Sequence, residues 1–339
     1  MMIMTMKTKI LEYFRLMRFH SVSSETTIIL LGALVMGQRD LSLLFVLFVI
    51  GLLGHIFGYT LNDYADLKVD KKSDELKKKP LVSGVISKVN ALIIAITAAI
   101  FAFILTFIFF PYVLSFTILI FTAIVSLTYD FFGKKIPWIP DYIVGGALFL
   151  FCLFGASTVT QEFNSLIYIV CLIFFFDIVY INGIEGGIKD VDHDYLAGAK
   201  TVVTLMGAKV KNKTLYLSKK IIAYSCILRV IYIFLIVLLG VQKEINLWYS
   251  SNYLLQAVII ALIVLMIIVN YKFLNISTFD RSKIKKLIAA HSALSGIIIM
   301  VTLLPILSPV IVVFLLLFPV TWYTVFNQIL YGKALQPRI

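Results

Sequence analysis

Charge is scarce in this chain. Only 14% of its 339 residues are Asp, Glu, Lys or Arg, against 61% hydrophobic, and the mean hydropathy is +1.00. That excludes an ordinary soluble domain, in which about a quarter of the residues are charged. Cysteine is scarce too. Cys152, Cys171 and Cys226 stand alone inside apolar runs, without the paired spacing of metal or redox sites, and read as packing residues. No small-residue cleavage site follows a short apolar core near the N-terminus, so no cleavable signal is expected. No low-complexity tract or linker marks off a soluble domain. The apolar runs also lack the two-residue alternation of a membrane β-barrel.

Long apolar runs are what remains. Ten of them, at about 21–37, 42–61, 91–109, 112–129, 141–159, 164–183, 219–240, 253–271, 285–305 and 308–328, approach the ~20 residues that a helix needs to cross a bilayer. The fold class expected is all-α: a polytopic membrane helical bundle, with ten transmembrane helices by this count. With the N-terminus on the cytoplasmic side and the chain alternating, all but Arg39, Arg229 and Lys243 of the 30 Lys and Arg fall in inside segments. This is the positive-inside rule. It accounts for the net charge of +12 without a nucleic-acid partner. Within residues 6–19, Ile10, Phe14 and Met17 share a helical face among basic residues, which predicts an interfacial helix over 1–20. Residues 21–339 then form a single transmembrane domain with cytoplasmic cap loops at 62–90, 130–140 and 184–218. Each of the two longest inside segments opens with acids and continues with Lys, a weak internal repeat.

The first acidic stretch reads NDYADLKVD, residues 62–70. Asp63, Asp66 and Asp70 are spaced i, i+3, i+7, and lie on one face if the helix continues past the membrane. Three carboxylates on one face repel one another until a bound cation or a cluster of cationic side chains relieves them. The ligands are all oxygens, so the cation should be hard: magnesium or calcium, not zinc. A solvated juxtamembrane face is the competing reading. The second stretch, KDVDHDYLAGAKT at 189–201, places Asp190 and Asp194 on one face at i, i+4. Asp192 points elsewhere, His193 reads as a surface residue, and Gly198 marks the end of the helical turn. Helix counting puts both stretches on one side of the membrane. Magnesium binds through a few carboxylates together with substrate phosphates, so two such clusters imply a diphosphate held by bridging metals. Lys79, Lys134, Lys135, Lys189 and Lys200 are candidates for the remaining positive charge. An organic diphosphate whose tail enters an apolar bundle is a polyprenyl diphosphate.

These residues resemble the UbiA superfamily of intramembrane prenyltransferases. NDYADLKVD satisfies the family's NDxxDxxxD motif, and DVDHD its DxxxD motif, followed by Gly198, Lys200 and Thr201. KPLVSG at 79–84 is similar to its basic-Pro-Leu-x-Ser-Gly stretch, although Lys79 stands where many relatives carry Arg, so a point charge replaces a bidentate grip. Arg18, Tyr129 and Lys134 match less specific family positions. The resemblance is good over residues 10–240, while the last hundred match only as hydrophobic helices. It implies nine helices around a cavity under a cytoplasmic cap, with a lateral opening for lipid tails. This chain then has an extra C-terminal helix, or its last two runs form one element broken around Pro305 and Pro309. The implied catalytic carboxylates are Asp63, Asp66, Asp70, Asp190 and Asp194. Asn62, Asp63, Asp66 and Asp70 would hold one Mg2+, and Asp190 and Asp194 a second. Asn62, Arg18, Lys79, Tyr129, Lys134, Lys189, Lys200 and Asp177 would bind substrate.

Asp177, inside an apolar run, lines the acceptor end of the chamber or pairs with Arg229 of the next span in a functional reading, and is a buried structural pair in the competing one. His55, two turns before Asn62, either approaches the chamber or bonds to a neighbouring helix. The function implied is transfer of a prenyl group from a polyprenyl diphosphate to a small acceptor at the cell membrane. The wording NDYAD looks most like hydroxybenzoate polyprenyltransferases and an aromatic acceptor. The alternatives within the superfamily are a glycerol-phosphate lipid, a haem, or attack by a polyprenyl phosphate on phosphoribosyl diphosphate. A cation or lipid transporter would place its acids near mid-membrane in broken helices, which these are not.

Overall fold

The computed structural model describes residues 6–72, 74–133, 136–197 and 200–334. Its elements are α1 (Met6–Leu16), α2 (Val22–Val35), α3 (Leu41–Asp70), α4 (Lys88–Phe109), α5 (Val113–Phe131), α6 (Ile139–Ser157), α7 (Ser165–Tyr180), α8 (Gly187–Ala197), α9 (Val202–Leu205), β1 (Lys209–Lys211), β2 (Thr214–Tyr216), α10 (Lys219–Val241), α11 (Tyr253–Leu274), α12 (Arg281–Thr302) and α13 (Pro309–Tyr331). A 3-10 turn at Phe19–Ser21 joins α1 to α2. A π-helical turn, Ile181–Gly186, joins α7 to α8, and the result is one helical stretch over Ser165–Tyr195.

Among the described residues nine helices are long and apolar enough to cross a membrane, and the segment containing α2 is a shorter tenth. The chain is thus an all-α membrane bundle, and all ten expected runs are helical. The last two are separate helices, α12 and α13, which decides against one broken element. Their ends are fixed by polar side chains in the pattern that satisfies a helix's first free N–H groups. Asp40 caps α3, Ser87 α4, Asn164 α7, Ser218 α10, Asn252 α11 and Asp280 α12. Ile100, Phe107, Phe121, Val264 and Leu317 are exposed, as residues facing acyl chains should be.

The chain packs as two compact units. The first contains the described residues of Met1–Phe132, Leu150–Phe163 and Phe314–Ile339; the second contains those of Gly133–Phe149 and Asn164–Val313. In the first, a stripe of buried alanines on α4 (Ala91, Ala95, Ala98 and Ala102) lets α3 pack close. The end of α6 lies against α2 with no side chain between them. A Cβ added to Gly32 would lie 2.0 Å from the main-chain oxygen of Cys152, and one added to Gly155 would lie 2.0 Å from that of Ile29. Such close approach is how helices pack in lipid, where van der Waals contact replaces the hydrophobic drive. A small satellite core of Leu16, Leu81, Ile86 and Ala91 pins the chain after α3.

In the second unit Val179, Tyr180, Ile184, Ile188 and Val203 share a core with α10, α11 and α12. The hairpin β1–β2 is tied to the connection before α12 by Leu215 N–H donating to the Ser277 carbonyl at 2.8 Å and Phe279 N–H to that of Lys213 at 2.7 Å.

Candidate active site

The length of α3 explains its acids. Thirty residues at 1.5 Å each make a rod of about 45 Å, longer than the ~30 Å hydrocarbon core. Its C-terminal turns therefore carry polar residues. Asp63, Asp66 and Asp70 are all helical, so the segment from residue 62 that sequence places in a loop begins as a continuation of the span.

The charges of Asp63 and Asp70 are met by cationic side chains. Lys79 Nζ donates to Asp63 Oδ1 at 3.1 Å and to Asp70 Oδ2 at 2.8 Å. Arg18 donates to the same Asp63 oxygen at 3.0 Å. Lys79 is positioned by its turn: Ser83 N–H bonds the Lys79 carbonyl at 2.9 Å, Gly84 takes φ +77, and Leu81 and Ile86 are buried in the satellite core. An ammonium with three donors can bridge two carboxylates two turns apart on one helical face. Arg18 adopts left-handed backbone geometry, φ 45, uncommon outside glycine, and its guanidinium lies 4.9 Å over the Tyr59 ring. Burial of that guanidinium works against its charge, but Asp63 outweighs burial and raises the Arg18 pKa.

Asn62 donates to Asp130 Oδ1 at 2.8 Å, which leaves the Asn62 carbonyl oxygen able to accept or ligate. Asp130 is buried at the end of α5. Sequence reasoning passed over it in favour of its neighbour Tyr129, which is half-buried beside it. Asp66 is also half-buried. Lys134 and Lys135 lie outside the described residues.

Inside the membrane, His55 is buried and bonds to a neighbouring helix: its Nδ1 lies 3.0 Å from Glu25 Oε2 of α2, and its Nε2 3.2 Å from the Arg18 carbonyl. Tyr59 donates to Glu25 Oε1 at 3.1 Å. Sequence reasoning missed Glu25; the available signal was a lone acid within the first apolar run. In the same unit, Gly54, Phe57, Ala102, Phe103, Leu119 and Phe151 line a small apolar pocket.

The second motif lies on α8. Asp190 and Asp194 are half-buried, and Asp190 pairs with Lys189 at 3.1 Å. Asp192 points elsewhere, as expected, to Arg281 at 2.7 Å. Arg281 also donates to the Lys189 carbonyl at 3.3 Å, so it fastens α8 to α12. His193 and Lys200 are exposed, and Gly198 lies outside the described residues. Asp177 forms the pair with Arg229, at 2.8 Å. The Arg229 guanidinium stacks 3.4 Å from the Tyr180 centroid and contacts His291 at 3.1 Å. His291 lies 2.8 Å from Glu185 of the π-helical turn. Glu185 and His291 were not singled out from sequence, since nothing local pairs them.

Among the described residues no group of three or more His, Cys, Asp or Glu closes around a single point. The donor chemistry still fits magnesium, which needs only one or two carboxylates when phosphate oxygens and water complete its shell. Asp63, Asp66 and Asp70 supply hard oxygens, and Asp190 with Asp194 a second pair.

The family model for the UbiA prenyltransferase family matches residues 26–295. A digeranylgeranylglyceryl phosphate synthase from Saccharolobus solfataricus is 29% identical over 199 residues, 58% of this chain and 69% of the relative. A 4-hydroxybenzoate octaprenyltransferase from Francisella tularensis subsp. tularensis is 29% identical over 252 residues, 71% and 81% of the two chains. A solved UbiA homologue from Archaeoglobus fulgidus bound to GPP and Mg2+ superposes with a TM-score of 0.60 at 18% identity, covering 87% of this chain and 99% of that one.

Proposed function

The chain belongs to the UbiA prenyltransferase family, and from that premise we propose that it moves a polyprenyl group from its diphosphate to a small acceptor, with magnesium, at the cytoplasmic face of the cell membrane. The observation that carries this is the end of α3. Asp63 and Asp70 are clamped by Lys79 and Arg18 at the point where a membrane helix leaves the apolar zone. A charged head belongs beside that cluster and a hydrocarbon tail beside the apolar helices below it.

Asn62, Asp63, Asp66 and Asp70 are the ligands for one magnesium in this reading, and Asp190 and Asp194 those for a second. Bound magnesium supplies charge stabilisation to the leaving diphosphate. Lys79 and Arg18 release part of their hold on the carboxylates and turn to the diphosphate oxygens, with Lys134, Lys189 and Lys200 as further cationic contacts and Tyr129 at the edge of the site. Their positive charge favours departure of the diphosphate with the electron pair of the allylic C–O bond. The apolar side chains of α3, α4 and α5 keep water from the allylic cation. An acceptor nucleophile then takes it. Asp177 is assigned to the substrate-binding part of the second unit, held in place by Arg229.

The wording of the first motif and the Francisella relative support a small aromatic acceptor. The Saccharolobus relative supports a glycerophosphate lipid instead. The test is release of diphosphate by purified protein given geranylgeranyl diphosphate and Mg2+. Release should stop with EDTA and in folded Asp66→Ala or Asp190→Ala protein. Undiminished release in any of the three refutes the mechanism.

A further inference from the structure

Resting on that reading, we infer that Glu25, held by His55 and Tyr59 below Asp63, receives a hydroxyl of the acceptor and takes its proton as the prenyl carbon is captured.

Position comes first. His55, Tyr59 and Asp63 follow one another at four-residue intervals on α3 and so lie in one stripe, each a little over one turn, ~6 Å, from the next. Asp63 marks the level of the diphosphate. The allylic carbon is separated from phosphorus by a single oxygen, which places it within about one turn of Asp63, at the level of Tyr59. Tyr59 donates to Glu25 Oε1. The carboxylate of Glu25 therefore sits where the nucleophile has to be.

Charge comes second. Both ring nitrogens of His55 face oxygen acceptors, Glu25 Oε2 and the Arg18 carbonyl. That geometry places a shared proton between His55 and Glu25, so the pair is formally neutral. A lone acid in an apolar run is tolerated in the membrane on those terms. The imidazole is closed off, with 0% of its side chain exposed, whereas 15% of the Glu25 side chain is reachable. Each Glu25 oxygen accepts one bond from within the unit and has capacity for another. The open group is thus an acceptor of hydrogen bonds, which suits a hydroxyl and repels a carboxylate or phosphate.

The proton balance holds for both sources of a hydroxyl. With an alcohol, the C–O bond to diphosphate breaks, a new C–O bond forms to the acceptor oxygen, and its proton passes to Glu25. With a phenol, the diphosphate leaves with the C–O electron pair, the hydroxyl proton passes to Glu25 and a ring carbon bonds the prenyl carbon. The resulting dienone then gives its ring proton to the departed diphosphate as the Glu25 proton returns to the oxygen, which restores the phenol.

The experiment uses the full chain in lipid with Mg2+ and geranylgeranyl diphosphate, and measures the ratio of prenylated product to water-quenched prenol. One arm offers 4-hydroxybenzoate, another its methyl ether 4-methoxybenzoate, and a third geranylgeranylglyceryl phosphate. Product is expected only in an arm with a free hydroxyl, and which arm gives it identifies phenol or alcohol. Glu25→Gln should lower the ratio by at least ~100-fold, the low end for general base catalysis, with partial recovery in Glu25→Asp. Prenylation of the methyl ether, or an unchanged ratio in Glu25→Gln, overturns the inference. If Glu25→Gln does not fold, the comparison of 4-hydroxybenzoate with its ether in the native chain still decides. Absence of any diphosphate release from the native chain overturns both this inference and the proposed function, whereas release with capture independent of Glu25 overturns this inference alone.

Discussion

Lys79→Ala isolates the electrostatic role of the clamp. The ammonium bonds Asp63 at 3.1 Å and Asp70 at 2.8 Å, and its side chain is 14% exposed. Asp63 keeps Arg18, so Asp70 is the carboxylate left without a counter-charge among the pairs described. Removing one partner of a buried ion pair costs about 3–5 kcal/mol. The helix end faces water, which solvates part of the loss, and the figure falls to roughly 2 kcal/mol, in the range of hydrogen bonds to charged groups. For a chain of this size that lowers the melting temperature by about 4 °C. The assay is thermal unfolding of detergent-purified protein, followed by intrinsic fluorescence, first in EDTA and then with Mg2+. On the proposed reading magnesium binds only the folded cluster and so stabilises it by mass action. In Lys79→Ala it also supplies the missing positive charge, so the gain on adding Mg2+ should exceed that of the native chain. A variant as stable as the native chain in EDTA, or one that gains no more from Mg2+, would refute the view that Lys79 and a cation serve the same carboxylates.

Two further substitutions test the packing of each unit. Arg229→Met leaves Asp177 and His291 without the guanidinium that contacts both inside the membrane, and should destabilise by about 3–5 kcal/mol; a folded fraction on size exclusion equal to that of the native chain would contradict this. Gly155→Val places a side chain where a Cβ alone would lie 2.0 Å from the Ile29 carbonyl oxygen. It should abolish the monodisperse peak, whereas Gly146→Val, at a position with nothing within 4 Å, should not.

Local periodicity made much of this molecule legible in advance. Ten apolar runs became ten helices because a span must satisfy its own backbone in lipid. The spacing of Asp63, Asp66 and Asp70 read as one face because helical geometry makes it so. Illegible were the partners that packing alone brings together. Glu25 meets His55 across 30 positions, Asn62 meets Asp130 across 68, and Arg281 meets Asp192 across 89. No pattern within a window of a few turns records such pairings. The π-helical turn at Ile181–Gly186 was hidden for a related reason. Glu185 in that turn finds His291 over a hundred positions away.

Because α3 is unbroken from Leu41 to Asp70, it acts as a ruler as well as a scaffold. On the proposed mechanism the interval from diphosphate to nucleophile is written in backbone pitch rather than in the size of any side chain. Side-chain exchanges along the stripe alter which acceptor is held, but leave unchanged how far it stands from the breaking bond. A single residue inserted between Tyr59 and Asp63 would turn one end of the scale about 100° away from the other, with every functional group still present and none in register.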